Sequence, residues 1–369
     1  EEVLMKRFIV FAVAALLVLP AVSFAGSATS RWDVTIGGYI KFDMGYTTQG
    51  QGADYRAALR ESYGIYENKD DEYGNFYSAA GETRLNFLIR GPEGWGAKTM
   101  GFLEGEFLGT TGGSNYGTFA LRHAYMRMQW ENDTLTLGQT WQKWGYIPTY
   151  SNILLGVNML TAFQRGGRQP QIMWDHKFNK NWGFSFGVIS PTNAYGTAGG
   201  ANVVNSFTLS PYPFFEGELS WTSDACGKIG PWQMLFTLSG FYGWDRQTFA
   251  EAYVTSPGAC GPGCVPGSAA RNTVWWDDEL ESAWGAAFKG FIPIIPEKKG
   301  NKAGALSVSG MIFTAQNPSW YLPSGFSLGA YNRGSSANPD YAYPRVFGGW
   351  GQVSYWFTND LFISGWYGQ

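Results

Sequence analysis

Apolar and polar residues alternate with a period of two along most of the chain. The alternation is clear in the stretch GETRLNFLIRGPEGWGAKTMGFLEGEFLG, residues 81–109, where Leu85, Phe87 and Ile89 fall on one parity and Arg84, Asn86 and Arg90 on the other. It resumes after the Gly-rich turn in the middle of the stretch. Because a period of two puts successive side chains on opposite faces, this stretch predicts two β-strands joined by a tight turn.

The glycines and the lysine of this turn are spaced almost as in a phosphate-binding loop. Such a loop needs the lysine directly after its last glycine, with a helix behind it, because amides, ammonium and helix dipole hold the phosphate together. Here Ala97 separates Gly96 from Lys98, and the residues that follow predict a strand. We therefore expect a turn at this position and no nucleotide site.

Similar hairpins recur along the chain. The next unit places Ala124, Met126 and Met128 on one parity and His123 and Arg127 on the other. Later short turns are predicted at residues 131–133, 179–181, 224–231, 296–304 and 358–360. Short turns alternate with long polar connections, which is typical of outer-membrane β-barrels with short periplasmic turns and long extracellular loops.

The number of strands bears on whether the barrel closes. The pattern gives about 13 strands by Gln369, whereas single-chain bacterial barrels close with an even number. An open edge in lipid would leave backbone groups without partners. Since the sequence stops within a predicted strand, we expect a C-terminal truncation and an intact barrel of about 16 strands.

Composition supports a transmembrane barrel. The 369 residues include 50 Gly, 17 Trp and 21 Tyr, with 15% charged residues and a mean hydropathy of -0.19. This is too polar for a bundle of membrane helices and richer in aromatics than a soluble core needs, so a soluble β-sandwich is the lesser interpretation. The net charge of -3 indicates neither a nucleic-acid partner nor an electrostatic membrane anchor.

The first residues predict export. Met5 is followed by two basic residues, an apolar run over 8–19 and small residues that end at Ala25. This pattern predicts a secretory signal peptide over 5–25, and its apolar run is too short to span a bilayer. Residues 1–4 are interpreted as a non-native upstream leader and 26–369 as the barrel domain, located in the outer membrane of a Gram-negative bacterium.

Cysteine and histidine offer little material for catalysis or metal binding. Cys260 and Cys264 flank Gly-Pro-Gly in a Gly/Pro/Ser-rich loop, where a local disulfide is favoured over a metal site. Cys226 is then left over and is expected to stay reduced. His123 and His176 lie on separate predicted strands, so a zinc site or a nucleophile–histidine pair is not indicated. No cofactor is expected.

Two stretches resemble a known family. LRHAYMRMQWENDTLTLGQTWQKWG, residues 121–145, resembles the part of Gram-negative trimeric porins that precedes their pore-constricting third loop. WDVTIGGYIKFDMGY, residues 32–46, is similar to the first strand of porins, especially the DcaP-like group. The resemblance implies a homotrimer surrounded by outer-membrane lipid, passive diffusion of small hydrophilic solutes, and a constriction loop over 143–168. The C-terminal strand with a terminal aromatic residue, usual in the family, is missing here.

The predicted constriction segment is unusual in its charge. In general porins this loop is acidic and faces arginines, whereas residues 143–168 contain basic residues and no Asp or Glu. The candidate pore-lining residues on the segment and on inward-facing parity are Lys41, Arg84, Arg90, Glu104, Glu106, Arg127, Lys143, Arg165 and Arg168. Basic groups at the narrowest point would favour anions.

A plainer interpretation of the same residues stays open. Arg165 and Arg168 would then be hydrated at the rim, where the loop re-enters the wall. Glutamates also occur on inward parity, so the lumen is mixed in charge; they include Glu104, Glu106, Glu216, Glu218, Glu279 and Glu281. The apolar residues of 153–160 are expected to pack the loop against the wall.

Two other functions compete with a diffusion channel. An outer-membrane enzyme would need a Ser-His-Asp or acidic constellation, for which two histidines and no recognisable nucleophile elbow are a poor basis. A structural or conduit barrel that houses a partner protein is not excluded by the lack of haem motifs, because the haems could belong to the partner. The sequence favours the porin.

Overall fold

The alternating sequence forms β-strands throughout the part of the chain that the structure describes. The structure is a computed structural model, and it describes residues 32–47, 75–111, 114–144, 168–190, 212–254, 271–316, 331–332, 341–342 and 345–369. The strands in these residues are β1 (Asp33–Tyr39), β2 (Asp43–Thr47), β3 (Asn75–Ala79), β4 (Arg84–Arg90), β5 (Lys98–Thr111), β6 (Ser114–Gln129), β7 (Asp133–Trp141), β8 (Arg168–Lys177), β9 (Trp182–Ile189), β10 (Phe214–Ile229), β11 (Trp232–Val254), β12 (Arg271–Ile295), β13 (Leu306–Gln316), β14 (Tyr331–Asn332), β15 (Tyr341–Ala342), β16 (Arg345–Trp356) and β17 (Phe362–Gly368). The predicted signal peptide over 5–25 and the leader over 1–4 lie outside the described residues.

A single large sheet contains most of these strands. It has 13 antiparallel strands in the order β1-β4-β5-β6-β7-β8-β9-β10-β11-β12-β13-β16-β17. The pairs β2–β3 and β14–β15 form two small sheets between successive strands of the large one. The order follows the chain, so each strand of the large sheet is antiparallel to the strand of the same sheet that follows it in sequence. The predicted all-β class and the count of about 13 strands up to Gln369 are confirmed.

Short and long connections alternate as predicted, with one exception: only residues 112–113 separate β5 from β6. The short turns, at 91–97, 130–132, 178–181, 230–231, 296–305 and 357–361, lie between paired strands of the large sheet. Because neighbouring strands run in opposite directions, all of these turns lie at one end, here called the short-turn end. The longer connections and the short β5–β6 connection lie at the other end, here called the long-loop end.

The glycine-rich stretch that is spaced like a phosphate loop is a hairpin turn. Gly94 and Ala97 bond to each other through both backbone amides, at 3.0 and 2.9 Å. Between them Trp95 and Gly96 have φ values of 52° and 71°. Two central residues with positive φ match the type I′ turn, whose twist fits a two-stranded hairpin. The expected turn, without a helix behind it, is confirmed.

The two faces of the sheet have opposite character. Apolar side chains point out from the sheet and stay exposed, among them Ile172, Trp174, Phe186, Leu238, Phe288, Ile312, Phe347 and Val353. Near the short-turn end the rings of Trp221, Phe236 and Phe288 stack side by side, with 5.9 Å between successive centroids. Polar and charged side chains lie on the other, inner face, where many are buried. This inside-out distribution matches a wall that faces lipid outside and polar surroundings inside.

No helix in the described residues is long and apolar enough to cross a membrane.

Candidate functional site

Two arginines and two glutamates form ion pairs on the inner face of β4 to β6, with a third arginine close by at the start of β8. Arg122 is the centre: its Nε lies 2.9 Å from Glu104 Oε1 and its Nη1 lies 2.5 Å from Glu106 Oε2. Arg84 Nε lies 3.5 Å from the same Glu106 oxygen. Arg168 lies nearby on β8, with its guanidinium 4.8 Å from the centre of the Trp141 ring. We call these residues the arginine cluster: Arg84, Glu104, Glu106, Arg122 and Arg168.

A β-bulge in β6 brings Arg122 into this cluster. Glu104 pairs with His123 and Gly105 pairs with Leu121, so Arg122 is the extra residue between two register positions. A bulge of this type lets two neighbouring residues of one strand face the same side. Strict alternation would place Arg122 on the outer face with Ala124. The residue was therefore missing from the predicted lining, because a bulge leaves no sign in the alternation.

Hydrogen bonds from neighbouring strands stabilise the C-terminal end of β7, next to the arginine cluster. His123 Nδ1 lies 3.1 Å from Thr140 Oγ1, and the His123 and Trp141 rings pack edge to face at 6.1 Å. Gln171 Nε2 donates to the carbonyl oxygens of Thr140 and Trp141, at 2.9 and 3.1 Å. These bonds fix the point at which the chain leaves the wall for the segment after β7.

A second group of charges lies on the inner face of β8 to β12. Lys289 Nζ lies 2.7 Å from Glu218 Oε2 and donates to the backbone carbonyl of Lys143 at 2.6 Å. The Lys143 ammonium lies 2.6 Å from Asp175 Oδ1. A Glu216 carboxylate oxygen accepts a hydrogen bond from the backbone N–H of Trp144. We call these residues the lysine cluster: Lys143, Asp175, Glu216, Glu218 and Lys289.

Trp144 fills an apolar depression in the same wall. Its ring is fully buried and packs edge to face on Phe241 at 4.8 Å and on Phe313 at 6.3 Å. Gly285 leaves the room for it, because a Cβ at that position would lie 2.8 Å from the Trp144 ring and 2.4 Å from Phe241. The start of the predicted constriction segment thus packs against the inner wall. The expectation that residues 153–160 also pack against the wall concerns residues outside the described ones.

The structure brings together only part of the predicted lining. Arg84, Glu104 and Glu106 meet in the arginine cluster, with Arg168 beside them at the Trp141 ring, and Lys143 belongs to the lysine cluster. Lys41 lies beside the arginine cluster, 2.5 Å from a Glu82 carboxylate oxygen.

Two predicted arginines lie apart from the clusters. Arg90 lies at the short-turn end of β4, largely exposed, with its Nη1 2.9 Å from Asp33 Oδ2. Arg127 Nε donates to Thr136 Oγ1 at 3.3 Å and its guanidinium lies 5.1 Å from the Tyr125 ring. The remaining predicted residues fall outside the described side chains: Arg165, Glu279, Glu281, Cys260 and Cys264. The disulfide between the two cysteines therefore stays a prediction.

The lysine cluster was largely missed from the sequence. Lys289 stands alone in the apolar run AWGAAFKGFIPII, and a single lysine in such a strand is a signal that could have been used. Trp144 carries no comparable signal, because the chain is rich in tryptophan. Cys226 has a free thiol, and no three His, Cys, Asp or Glu side chains of the described residues could hold a metal ion together.

Comparison with known proteins supports the fold. No protein-family model and no curated protein matches the sequence. The outer membrane channel DcaP of Acinetobacter baumannii is similar in structure, with a TM-score of 0.61, 15% identity and coverage of 93% of this chain and 79% of that chain. OprB of Pseudomonas putida has a TM-score of 0.39 and 11% identity, with coverage of 89% and 76%. The anion-selective porin from Comamonas acidovorans has a TM-score of 0.32 and 11% identity, with coverage of 88% and 89%. The likeness to DcaP shows that this chain has the antiparallel β-barrel fold of an outer-membrane channel.

Proposed function

We propose that the protein is an outer-membrane porin, a water-filled channel for passive diffusion of small hydrophilic solutes. The observation that carries the proposal is the inside-out wall, with exposed apolar residues such as Leu238 and Ile312 outside and the arginine and lysine clusters inside. Lipid would surround the outer face, because only apolar side chains are stable in the hydrocarbon region. Buried charge pairs on the inner face suit a lumen that excludes lipid and admits polar solutes.

The inward course of the chain after β7 supports a constriction at this point. Lys143 and Trp144 contact the inner wall of β10 to β13, although β7 lies three strands before β10. A chain segment that extends inward from the wall, as residues 142–144 do, narrows the aqueous path. The arginine cluster lies where this segment leaves and rejoins the wall, at Trp141 and Arg168.

A preference for anions is the narrower part of the proposal. The arginine cluster contains three arginines and two glutamates, an excess of one positive charge. The side chain of Arg84 is 21% exposed, whereas that of Glu106 is 7% exposed, so the guanidinium is the more accessible partner. A positive group at a narrow point raises the local anion concentration. The proposed surroundings are the Gram-negative outer membrane and the proposed assembly is a homotrimer, on the resemblance of residues 121–145 to trimeric porins.

Single-channel recording tests these proposals separately. The full-length protein, shown to be folded by its heat-modifiable migration, is added to planar bilayers under a salt gradient. Stepwise conductance in groups of three with an anion-selective reversal potential is expected. A folded barrel that never conducts would reject the channel, and a cation-selective reversal potential would reject the anion preference alone.

A further inference from the structure

The segment after β7 touches the wall at two distant places. The Lys143 side chain binds Asp175 on β8, while its backbone carbonyl accepts a hydrogen bond from Lys289 on β12. These strands are four positions apart in the sheet, which is about 19 Å along the wall at about 4.8 Å per strand. Lys143 therefore connects two parts of the inner face, β8 through its side chain and β12 through its backbone carbonyl.

The polar groups under this bridge form a continuous row. Asp175, Ser185, Glu218 and Ser239 are register partners on β8, β9, β10 and β11. Ser185 Oγ donates to Asp175 Oδ1 at 2.6 Å, and Ser239 Oγ donates to Glu218 Oε2 at 3.0 Å. Lys289 completes the row through Glu218. The serines orient the two carboxylates toward the two lysines, one on the wall and one on the segment.

Lys289 and Glu216 are buried, so losing their hydrogen bonds to residues 143 and 144 would cost free energy. Lys289 is fully buried, and its inner-face neighbours along β12, Ala287 and Phe291, are apolar. A buried ammonium is tolerated only with hydrogen-bonded partners, and the Lys143 carbonyl is one of them. Glu216 is 1% exposed and accepts the Trp144 N–H. If the segment moved away, both buried groups would lose a partner.

We infer that Lys289 and Glu216 are positioning residues that hold residues 142–144 against the inner face of β10 to β13 and so set the width of the channel. Neither residue is expected to contact the solute, because both are covered. The inference about width rests on the proposed function, whereas the attachment of the segment does not. The two parts therefore need two measurements.

Amide hydrogen exchange measures the attachment without any need for conductance. A peptide that covers 142–144 is followed by mass spectrometry in the folded wild type and in Lys289→Met and Glu216→Leu. Both variants are expected to exchange about tenfold faster in this peptide, because each removes a hydrogen bond to the segment. Glu216→Gln keeps an oxygen acceptor and should retain the protection. Lys228→Met is the matched control, since Lys228 lies at the short-turn end, 3.9 Å from Glu297.

Conductance then tests the consequence for the channel. Lys289→Met and Glu216→Leu are expected to give larger or noisier single-channel currents than wild type, while Lys228→Met is unchanged. Equal exchange in wild type and in both folded variants would overturn the inference. Fast exchange of the peptide in the wild type would also overturn it, and this result needs no variant to fold. Silence of the wild type in bilayers would reject the channel and leave the exchange result standing.

Discussion

Replacing Trp144 with alanine should release residues 142–144 from the inner wall while the barrel stays folded. The ring is fully buried between Phe241, Phe313 and the space left by Gly285. The hydrogen-bonded ladder of the large sheet does not pass through residue 144. The substitution therefore removes an anchor of the segment and not a part of the wall.

The expected size of the effect follows from the burial of the ring. A fully buried tryptophan truncated to alanine loses about 3–5 kcal/mol, which includes about 0.5–1.5 kcal/mol for each favourable ring pair beyond the buried area. If this loss falls on the local opening of the segment, and about 1.4 kcal/mol is a factor of ten, opening becomes about 100- to 4000-fold more frequent. Exchange of the amide that donates to Glu216 should accelerate by the same factor.

Hydrogen exchange and conductance provide the assay. The peptide that covers 142–144 is compared in wild type, Trp144→Ala and Trp182→Ala, a control on the outer face where the ring is partly exposed. The first variant should exchange faster and give noisier currents, and the control should match the wild type in this peptide. Exchange within about twofold of wild type in a folded Trp144→Ala barrel would refute the view that this ring holds the segment.

Three further predictions test other parts of the structure. Arg122→Gln removes the excess positive charge of the arginine cluster, so the reversal potential under a salt gradient should move toward cations; a shift toward anions would contradict the role of the cluster. Gly285→Leu places a side chain in the space of Trp144 and should speed the exchange of 142–144 as Trp144→Ala does; retained protection would show that the depression is not needed. Ile312→Lys puts a charge on the outer face, where the residue is 57% exposed. For a site near the bilayer centre it should lower the free energy of unfolding in vesicles by about 2–4 kcal/mol. An unchanged free energy of unfolding in urea titrations would argue against lipid at this face.

The amino-acid sequence by itself determined the hairpins and their two faces. Leu85 lies exposed on the outer face as its parity predicts, and the register with β5 follows from a local turn at Trp95 and Gly96. These features depend on neighbouring residues only, because the alternation and the turn conformation are local properties. The alternation of short and long connections, and hence the barrel class, could be predicted for the same reason.

Only the tertiary structure decided which charges meet. Arg122 faces inward because the pairing of β5 with β6 shifts by one residue, and this shift is a property of two strands together. Lys289 meets the Lys143 carbonyl across 146 residues of sequence, because the chain after β7 turns inward. Parity can assign a face to a side chain, but it cannot give the position of that side chain along the strand direction relative to the other strands, nor the side chain with which it pairs. That is why Arg90 and Arg127 share the predicted parity of Arg84 and yet lie apart from it.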